Sequence, residues 1–279
     1  MRVTIIGTGL IGGSLAIALR EKRLATSISG VESNELHGRK AVELKLVDAL
    51  STLDQGVDDA DLVVLAIPVD AGEKMLPLIL DRINGQVVMD VGSIKQPICN
   101  VIAGHPNRKR FVATHPMWGT EYSGPSAAVT GAFSEKAVVI CNRHDSEPDA
   151  LQLVESLYRK IGMHLLYMNA DAHDLHAAYV SHIAHITSFA LANTVLEKEK
   201  EEDAIFEMAS AGFESTVRLA KSNAAMWVPI FMQNRENVLD VLNEHISQLR
   251  KFKSCLEKEN YEFLQQLIEN ANKIRKIIN

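Results

Sequence analysis

The sequence predicts an α/β domain built on a parallel sheet, followed by an all-α domain. Three observations predict it. An apolar run, Val3 to Ile6, opens into a glycine turn and then resumes at helical spacing. Short apolar runs and helical patterns alternate as far as residue 168. From about Asn169 the strand signals stop, and the rest of the pattern is helical. Alternating strands and helices imply a parallel sheet with helices on both faces. The expected domains are residues 1–168 and 169–279.

The first element is the most informative. Gly7-Thr8-Gly9-Leu10-Ile11-Gly12-Gly13-Ser14 follows the strand, and Leu15, Ala18 and Leu19 continue as a helix. Gly7 lets the chain reverse, Gly9 leaves room for a pyrophosphate, and Gly12 lets the helix lie close on the strand. Free N–H groups and the positive dipole end at the helix start then face the phosphates. Glu32 ends a second strand, Ser27 to Val31, at the distance where a carboxylate binds ribose hydroxyls and repels a 2′-phosphate. This is a Rossmann-type dinucleotide site with NAD as the expected cofactor. NADP stays open because Arg39 and Lys40 lie nearby. Leu10, Ile11, Ile67 and Pro68 are expected to line the same site.

Each later element has its own signal. A helix is expected over about Leu36 to Leu44. Leu62 to Ile67 is a buried strand ending at Pro68, and Asp70 to Leu80 a helix. Gln86 to Asp90 is a strand running into Val91-Gly92-Ser93, and Ile94 to Ile102 a helix. Phe111 to Thr114 is a short strand ending at His115-Pro116. Ala137 to Cys141 and His164 to Tyr167 supply later strands, with a helix over Pro148 to Ile161 between them.

The helical part begins with one long helix, Ala170 to Glu199, whose charged end (197–203) reads as a solvated turn. Helices follow over Ala204–Met208, Glu214–Ser222, Ala225–Lys253 and Leu256–Ile278. In the last, Leu264, Leu267, Ile268, Ala271, Ile274 and Ile278 form a stripe at spacings of three and four. Core packing and a dimer contact both account for it.

Composition narrows the class. The 279 residues are 47% hydrophobic, enough for a sizeable core in one or two domains. A net charge of −6 disfavours nucleic acid or an anionic membrane as the main partner. Cys99, Cys141 and Cys255 are scattered without metal spacing, as free thiols in a reducing cytoplasm would be. The most apolar helix, Ala177 to Leu196, carries Ser181, His182, His185, Thr187 and Asn193. It is too polar for a membrane span and suits a buried helix that carries chemistry. The N-terminus lacks the cleavage region of a signal peptide.

Ligands in an open parallel sheet sit beyond the carboxyl ends of the strands. Ser93 and His115 both fall there, the serine as a group for chemistry or as a helix N-cap before Ile94, the histidine in a loop. The stretch HPMWGTEYSGP (115–125) adds Thr120, Glu121 and Trp118, the last a pocket wall or simple loop packing. His182 and His185 are three apart and share one helix face, as a pocket wall, a hydrogen-bonded pair or, least expected, metal ligands. Arg218 lies in a helix with an apolar opposite face and can match a carboxylate bidentately.

In combination, GTGLIGGSLA, DVGSIK (90–95), HPMWGTEYSG (115–124), SHIAH (181–185) and TVRLAKSNAAMW (216–227) resemble the prephenate dehydrogenase family, with its arogenate and cyclohexadienyl members. The resemblance implies a Rossmann domain joined to a helical dimerisation domain, a homodimer, NAD or NADP, and oxidative decarboxylation on the way to tyrosine. It implies that His115 takes the proton of the substrate 4-hydroxyl and that Ser93 orients both. It gives Arg218 a substrate carboxylate, places His182 in the pocket and Thr120 in the substrate loop, and links His185 with Glu121 at the entrance.

Two residues depart from the family pattern. An acid often stands three before the arginine. Here that position is Ser215, with Glu214 beside it, which leaves the aim of Arg218 open. Trp118 replaces a small residue and leaves prephenate versus arogenate open. No mutase segment or complete regulatory domain is expected, so tyrosine would act at the active site. The other readings are a 3-hydroxyacid dehydrogenase using Lys221, which leaves the His115 loop unexplained, and a redox-sensing nucleotide module, which needs no Ser93, His115 and Arg218 together.

Overall fold

The computed structural model describes residues 1–200 and 205–277. They divide into two compact units, Met1–Asn234 and Arg235–Asn279. In the first unit the strands are β1 (Arg2–Ile6), β2 (Ser27–Val31), β3 (Ala49–Leu50), β4 (Leu62–Leu65), β5 (Val87–Asp90), β6 (Phe111–Pro116), β7 (Ala137–Cys141) and β8 (His164–Met168). They form one sheet in the order β3-β2-β1-β4-β5-β6-β7-β8. The chain winds outward from β1 to both sides, so the glycine turn sits where the strand order reverses, which is where such sheets bind ligands. The helices between strands are α1 (Leu10–Glu21), α2 (Glu35–Glu43), α3 (Leu53–Asp59), α4 (Val69–Arg82), α5 (Gln96–Val101) and α6 (Pro148–Ile161). One apolar cluster is built around Ile5, Leu15, Leu19, Val64 and Met89, another around Ile6, Val63, Leu65, Leu76 and Phe111. The clusters follow from central strands whose residues are buried on alternating sides.

Three features differ from expectation. The sheet is not parallel throughout: β6 and β7 are antiparallel, with His115 opposite Val139. β6 pairs with β5 only through Phe111 and Val112, then turns its last four residues to β7. His115 therefore lies inside a strand and not in a loop. β3 and α3 were not expected, because two residues and one short turned segment carry too little periodicity. Ser93 does not cap a helix over Ile94, since α5 begins at Gln96.

After β8 the described residues are helical: α7 (Ala170–Ala177), a π-helical turn over Ala178–His182, α8 (Ile183–Glu199), α9 (Ala211–Val217), a 3-10 turn over Arg218–Lys221, and α10 (Ala224–Gln233). The expected long helix is thus widened at its middle by a π-turn, and Arg218 sits in a 3-10 turn. The helix expected to be buried, Ala177 to Leu196, is buried at Ala177, Ala178, His182 and Ser188 and is half-buried or exposed elsewhere. Most of the charged stretch beyond Lys200, and Ala204, lie outside the described residues.

The second unit holds α11 (Arg235–Glu257) and α12 (Tyr261–Ala271), joined by a tight turn that Asn260 caps. The expected helix over Ala225–Lys253 is interrupted at Asn234, where the cap of α10 ends it. No described residue of α12 is buried, so its apolar stripe is not core of this chain. Ile278 lies outside the described residues. Among the described residues no helix is long and apolar enough to cross a membrane.

Candidate active site

Gly7 adopts φ +93°, and a Cβ there would strike the Ala66 carbonyl. A Cβ on Gly12 would strike the Gly7 carbonyl, so α1 can lie this close only with glycine. A Cβ on Gly9 would meet nothing within 4 Å. Gly9 caps α1 without a side chain, and the first turn holds no acid. The N–H groups of that turn therefore stay available to an anion. Leu10 and Ile11 begin the helix, half-buried, while Ile67 and Pro68 follow the end of β4 beside them.

Glu32 follows β2 at the same edge. Its carboxylate accepts hydrogen bonds from the Thr8 N–H at 3.0 Å, the Thr8 hydroxyl at 3.1 Å and the Asn34 N–H at 3.1 Å. These bonds fix an acceptor at the lip of the glycine turn. Arg39 pairs with Glu35 and Lys40 with Glu43, both along α2. Neither cation is presented to a 2′-phosphate, and the residues fit NAD.

His115, half-buried near the end of β6, has its Nδ1 2.7 Å from Nε2 of His173. His173 Nδ1 is 2.7 Å from Asp174 Oδ1. Asp174 also accepts the backbone N–H groups of Lys95 and Gln96, each at 2.8 Å, and so caps α5 from a distant segment. Its own carbonyl accepts from Asn234 Nδ2 at 2.7 Å. Burial pushes His115 well below the ordinary imidazole range, and His173, Lys95 and His182 push it the same way. The imidazole is neutral at pH 7. Ser93 is half-buried in the turn after β5, and His173 supplies a contact that holds His115.

Beneath this lies a fully buried lysine, Lys95, whose ammonium pairs with Asp90. Asp90 further accepts from Gly92 N at 3.0 Å and Thr114 N at 3.1 Å. Thr114, the residue before His115, donates its hydroxyl to the Asp90 carbonyl and meets Tyr158 at 2.7 Å. The pair thus ties the ends of β5 and β6 together.

His182 is buried, accepts from Asn234 Nδ2 at 3.2 Å and meets Trp227 edge-on at 6.0 Å. Burial pushes it down to about 4. His185 stacks on Trp227 at 3.5 Å and bonds the Ser181 carbonyl at 3.1 Å, and burial lowers it as well. Among the described residues no three His, Cys, Asp or Glu side chains gather as metal ligands. Arg218 donates to Glu121 Oε2 at 3.0 Å. The carboxyl of Glu121 is held low by its own backbone N–H and by Arg218. Glu121, not Glu214, therefore faces the guanidinium; Glu214 lies 3.8 Å from Lys221. Arg218 also acts on His185, lowering it electrostatically, so the cation stands between Glu121 and His185. Beside it opens a cleft of 640 Å³ lined by Glu121, Tyr122, Ser126, Val129, Lys221 and Asn223. Thr120 accepts from Tyr122 N at 3.3 Å. Trp118 meets Phe133 edge-on at 5.6 Å and packs against the core, which is the loop-packing alternative.

Two family models match the chain: prephenate dehydrogenase, nucleotide-binding domain, over residues 15–167, and prephenate dehydrogenase, dimerization domain, over residues 169–270. The chain belongs to the prephenate dehydrogenase family. Among curated relatives, the prephenate dehydrogenase of Bacillus subtilis is 28% identical over 98% of this chain and 75% of its own length. The cyclohexadienyl dehydrogenase of Zymomonas mobilis is 27% identical over 98% and 94%. The prephenate dehydrogenase of Aquifex aeolicus, solved with hydroxyphenyl propionate and NAD+, superposes with TM-score 0.90 at 29% identity over 100% of this chain and 98% of that one. As a prephenate dehydrogenase family member with an NAD-fitted Rossmann domain, the protein is an NAD-dependent oxidoreductase.

Sequence reasoning missed several residues of this prephenate dehydrogenase-type site. Asp174 opens the histidine-bearing stretch 174–192 and His173 stands just before it, and no local pattern joins them to residues 95 and 115. Lys95 and Asp90 stand inside a quoted motif, and their spacing across a strand end was the available signal. Ser188 accepts from Ala220 N and donates to the Thr216 carbonyl, both at 3.0 Å, and so docks the Arg218 turn on α8.

Proposed function

We propose that the protein converts prephenate to 4-hydroxyphenylpyruvate with NAD+, using His115 as general base and Arg218 as the carboxylate anchor. The observation that carries this is a half-buried histidine, held by His173 at 2.7 Å and pushed well below the ordinary imidazole range, at the sheet edge that also holds the glycine turn. Bound NAD+ supplies the hydride acceptor. His115 accepts the proton of the ring 4-hydroxyl as hydride leaves the carbon that bears it. The ring carboxylate departs as carbon dioxide, its bonding pair enters the ring, and His115 returns the proton to the ring oxygen, so that the product is the aromatic 4-hydroxyl compound. A neutral imidazole is required for this and is what burial provides. Arg218 exchanges Glu121 for a substrate carboxylate; its side chain is 52% exposed, so little desolvation opposes the exchange. Ser93, Thr120, His182 and His185 form the polar lining around the ring and side chain.

Prephenate is the proposed substrate and arogenate the alternative; Trp118, which bears on that choice, packs edge-on against Phe133. The open stripe of α12 and the match to a dimerization domain support a homodimer. Tyrosine, a product-like ring with a carboxylate, competes at the same Arg218. The enzyme works in the cytoplasm, as its unpaired, buried thiols support.

The test is a parallel assay of prephenate and arogenate with NAD+ and NADP+, together with His115→Asn. Prephenate with NAD+ is expected to give the highest kcat/KM, and His115→Asn to lose about 10²–10⁴ in kcat with substrate binding kept. Preference for arogenate, or near-normal turnover in the variant, overturns the corresponding part.

A further inference from the structure

We propose that His173 and Asp174 are a positioning pair that fixes the tautomer of His115, holding its Nδ1 as donor and its Nε2 as the open base. This deepens the reading of His115 as general base and rests on it.

The argument is one of donors and acceptors. Asp174 accepts two backbone N–H groups, from Lys95 and Gln96, and is an acceptor toward His173 as well. A neutral His173 must then carry its proton on Nδ1, facing Asp174. Its Nε2 is left with a lone pair, 2.7 Å from His115 Nδ1. His115 must therefore donate from Nδ1, and its Nε2 has no proton. That is the nitrogen free to accept a hydroxyl proton. The opposite tautomer would set two lone pairs against each other between the rings. An imidazole is oriented as a base when a second group fixes the nitrogen opposite the reacting one.

The pair is also well anchored. His173 and Asp174 are 2% and 1% exposed, and α7 holds both on one turn. The same carboxylate that sets the tautomer caps α5, immediately after the turn that carries Ser93. When His115 takes up a proton, the charge on its ring faces this chain of acceptors ending in Asp174. The pair reaches the reacting atoms through His115.

The test uses the full-length enzyme with selectively 15N-labelled histidine and the variants His173→Leu and His173→Gln. In the unmutated protein, 15N–1H spectra are expected to show His115 protonated on Nδ1. In His173→Leu the Nε2–H form should appear, with kcat reduced about 10²-fold or more while KM for prephenate changes less than about threefold. His173→Gln keeps an acceptor at the same reach and should recover about tenfold of that loss. A His115 protonated on Nε2 in the unmutated enzyme overturns the proposal without any variant. So does a His173→Leu enzyme with unchanged kcat and tautomer. Near-normal turnover of His115→Asn would sink the general-base reading itself, whereas loss of activity there with no effect at His173 would sink only the positioning pair.

Discussion

Arg218 Nη1 donates to Glu121 Oε2 at 3.0 Å across 97 residues of sequence, so the cation assigned to the substrate is already occupied by a carboxylate of the β6–β7 loop. A pair with so exposed a cation is weak, because solvent screens it. Glu121→Gln should therefore lower KM for prephenate by about two- to fivefold and leave kcat unchanged. Arg218→Ala removes the charge-assisted bond to the substrate carboxylate and should raise KM about tenfold or more. Steady-state kinetics of the two variants side by side checks both signs. An unchanged KM in Arg218→Ala would mean that the carboxylate is held elsewhere.

The depression of His115 has a kinetic consequence. Burial comes first among its causes, and His173, Lys95 and His182 act in the same direction. The base is thus already deprotonated well below pH 6.5. kcat/KM should stay level from pH 8 down past 6.5 and fall only at more acidic pH. A pH–rate profile with an acidic limb centred near 7 would contradict the assignment.

Glu32 is expected to select NAD over NADP. Three hydrogen bonds aim it at the turn, and Arg39 and Lys40 are paired along α2. Glu32→Ala should weaken NAD+ by about tenfold, as lost charge-assisted bonds do, and narrow the gap to NADP+. Fluorescence titration of both cofactors measures it. Equal affinity for the two in the unmutated protein would contradict the ribose argument.

The legibility of this molecule follows the range of its interactions. The turn from β1 to α1 and Glu32 are encoded by steric and charge requirements within about thirty residues, and the sequence displays them. β6 carries an apolar signal, yet its switch from β5 to an antiparallel β7 depends on a partner 22 to 28 residues away. Asp174 caps α5 from 79 residues away, and no periodicity in either segment announces that contact. The same holds for the pairing of His173 with His115, which joins two histidines that look unrelated along the chain. The break at Asn234 was hidden because apolar spacing continues through it, while its side chain is recruited by Asp174 and His182.

Lys95 and Asp90 form a buried ion pair, 0% and 3% exposed. Removing one partner of such a pair typically costs about 3–5 kcal/mol, because the other charge is left without compensation. Lys95→Met should fall at the lower end, since Asp90 keeps its bonds from Gly92 and Thr114. The urea midpoint should drop with an unchanged slope, and the double variant Lys95→Met/Asp90→Asn, which removes the uncompensated charge and keeps an acceptor there, should be less destabilised than the single. A midpoint unchanged in Lys95→Met would show that the pair does not join β5 to β6 energetically.

The buried histidines also set how the fold responds to acid. Burial lowers His182 from its ordinary 6.5 to about 4, and lowers His185 and His115 in the same direction, with Asp174 opposing it at His182. Below about pH 6.5 the unfolded chain binds protons at these positions that the folded chain refuses. Stability is therefore fully present above 6.5 and is lost as pH falls toward 4. For His182 alone the depression corresponds to about 3 kcal/mol. Urea unfolding at pH 7.5, 6 and 5 should show a progressive fall in stability. His182→Gln cannot take up a proton, so the fall should be shallower in that variant, whatever its stability at pH 7.5. Parallel pH dependences in the two proteins would mean that His182 is not the proton acceptor that opposes folding in acid.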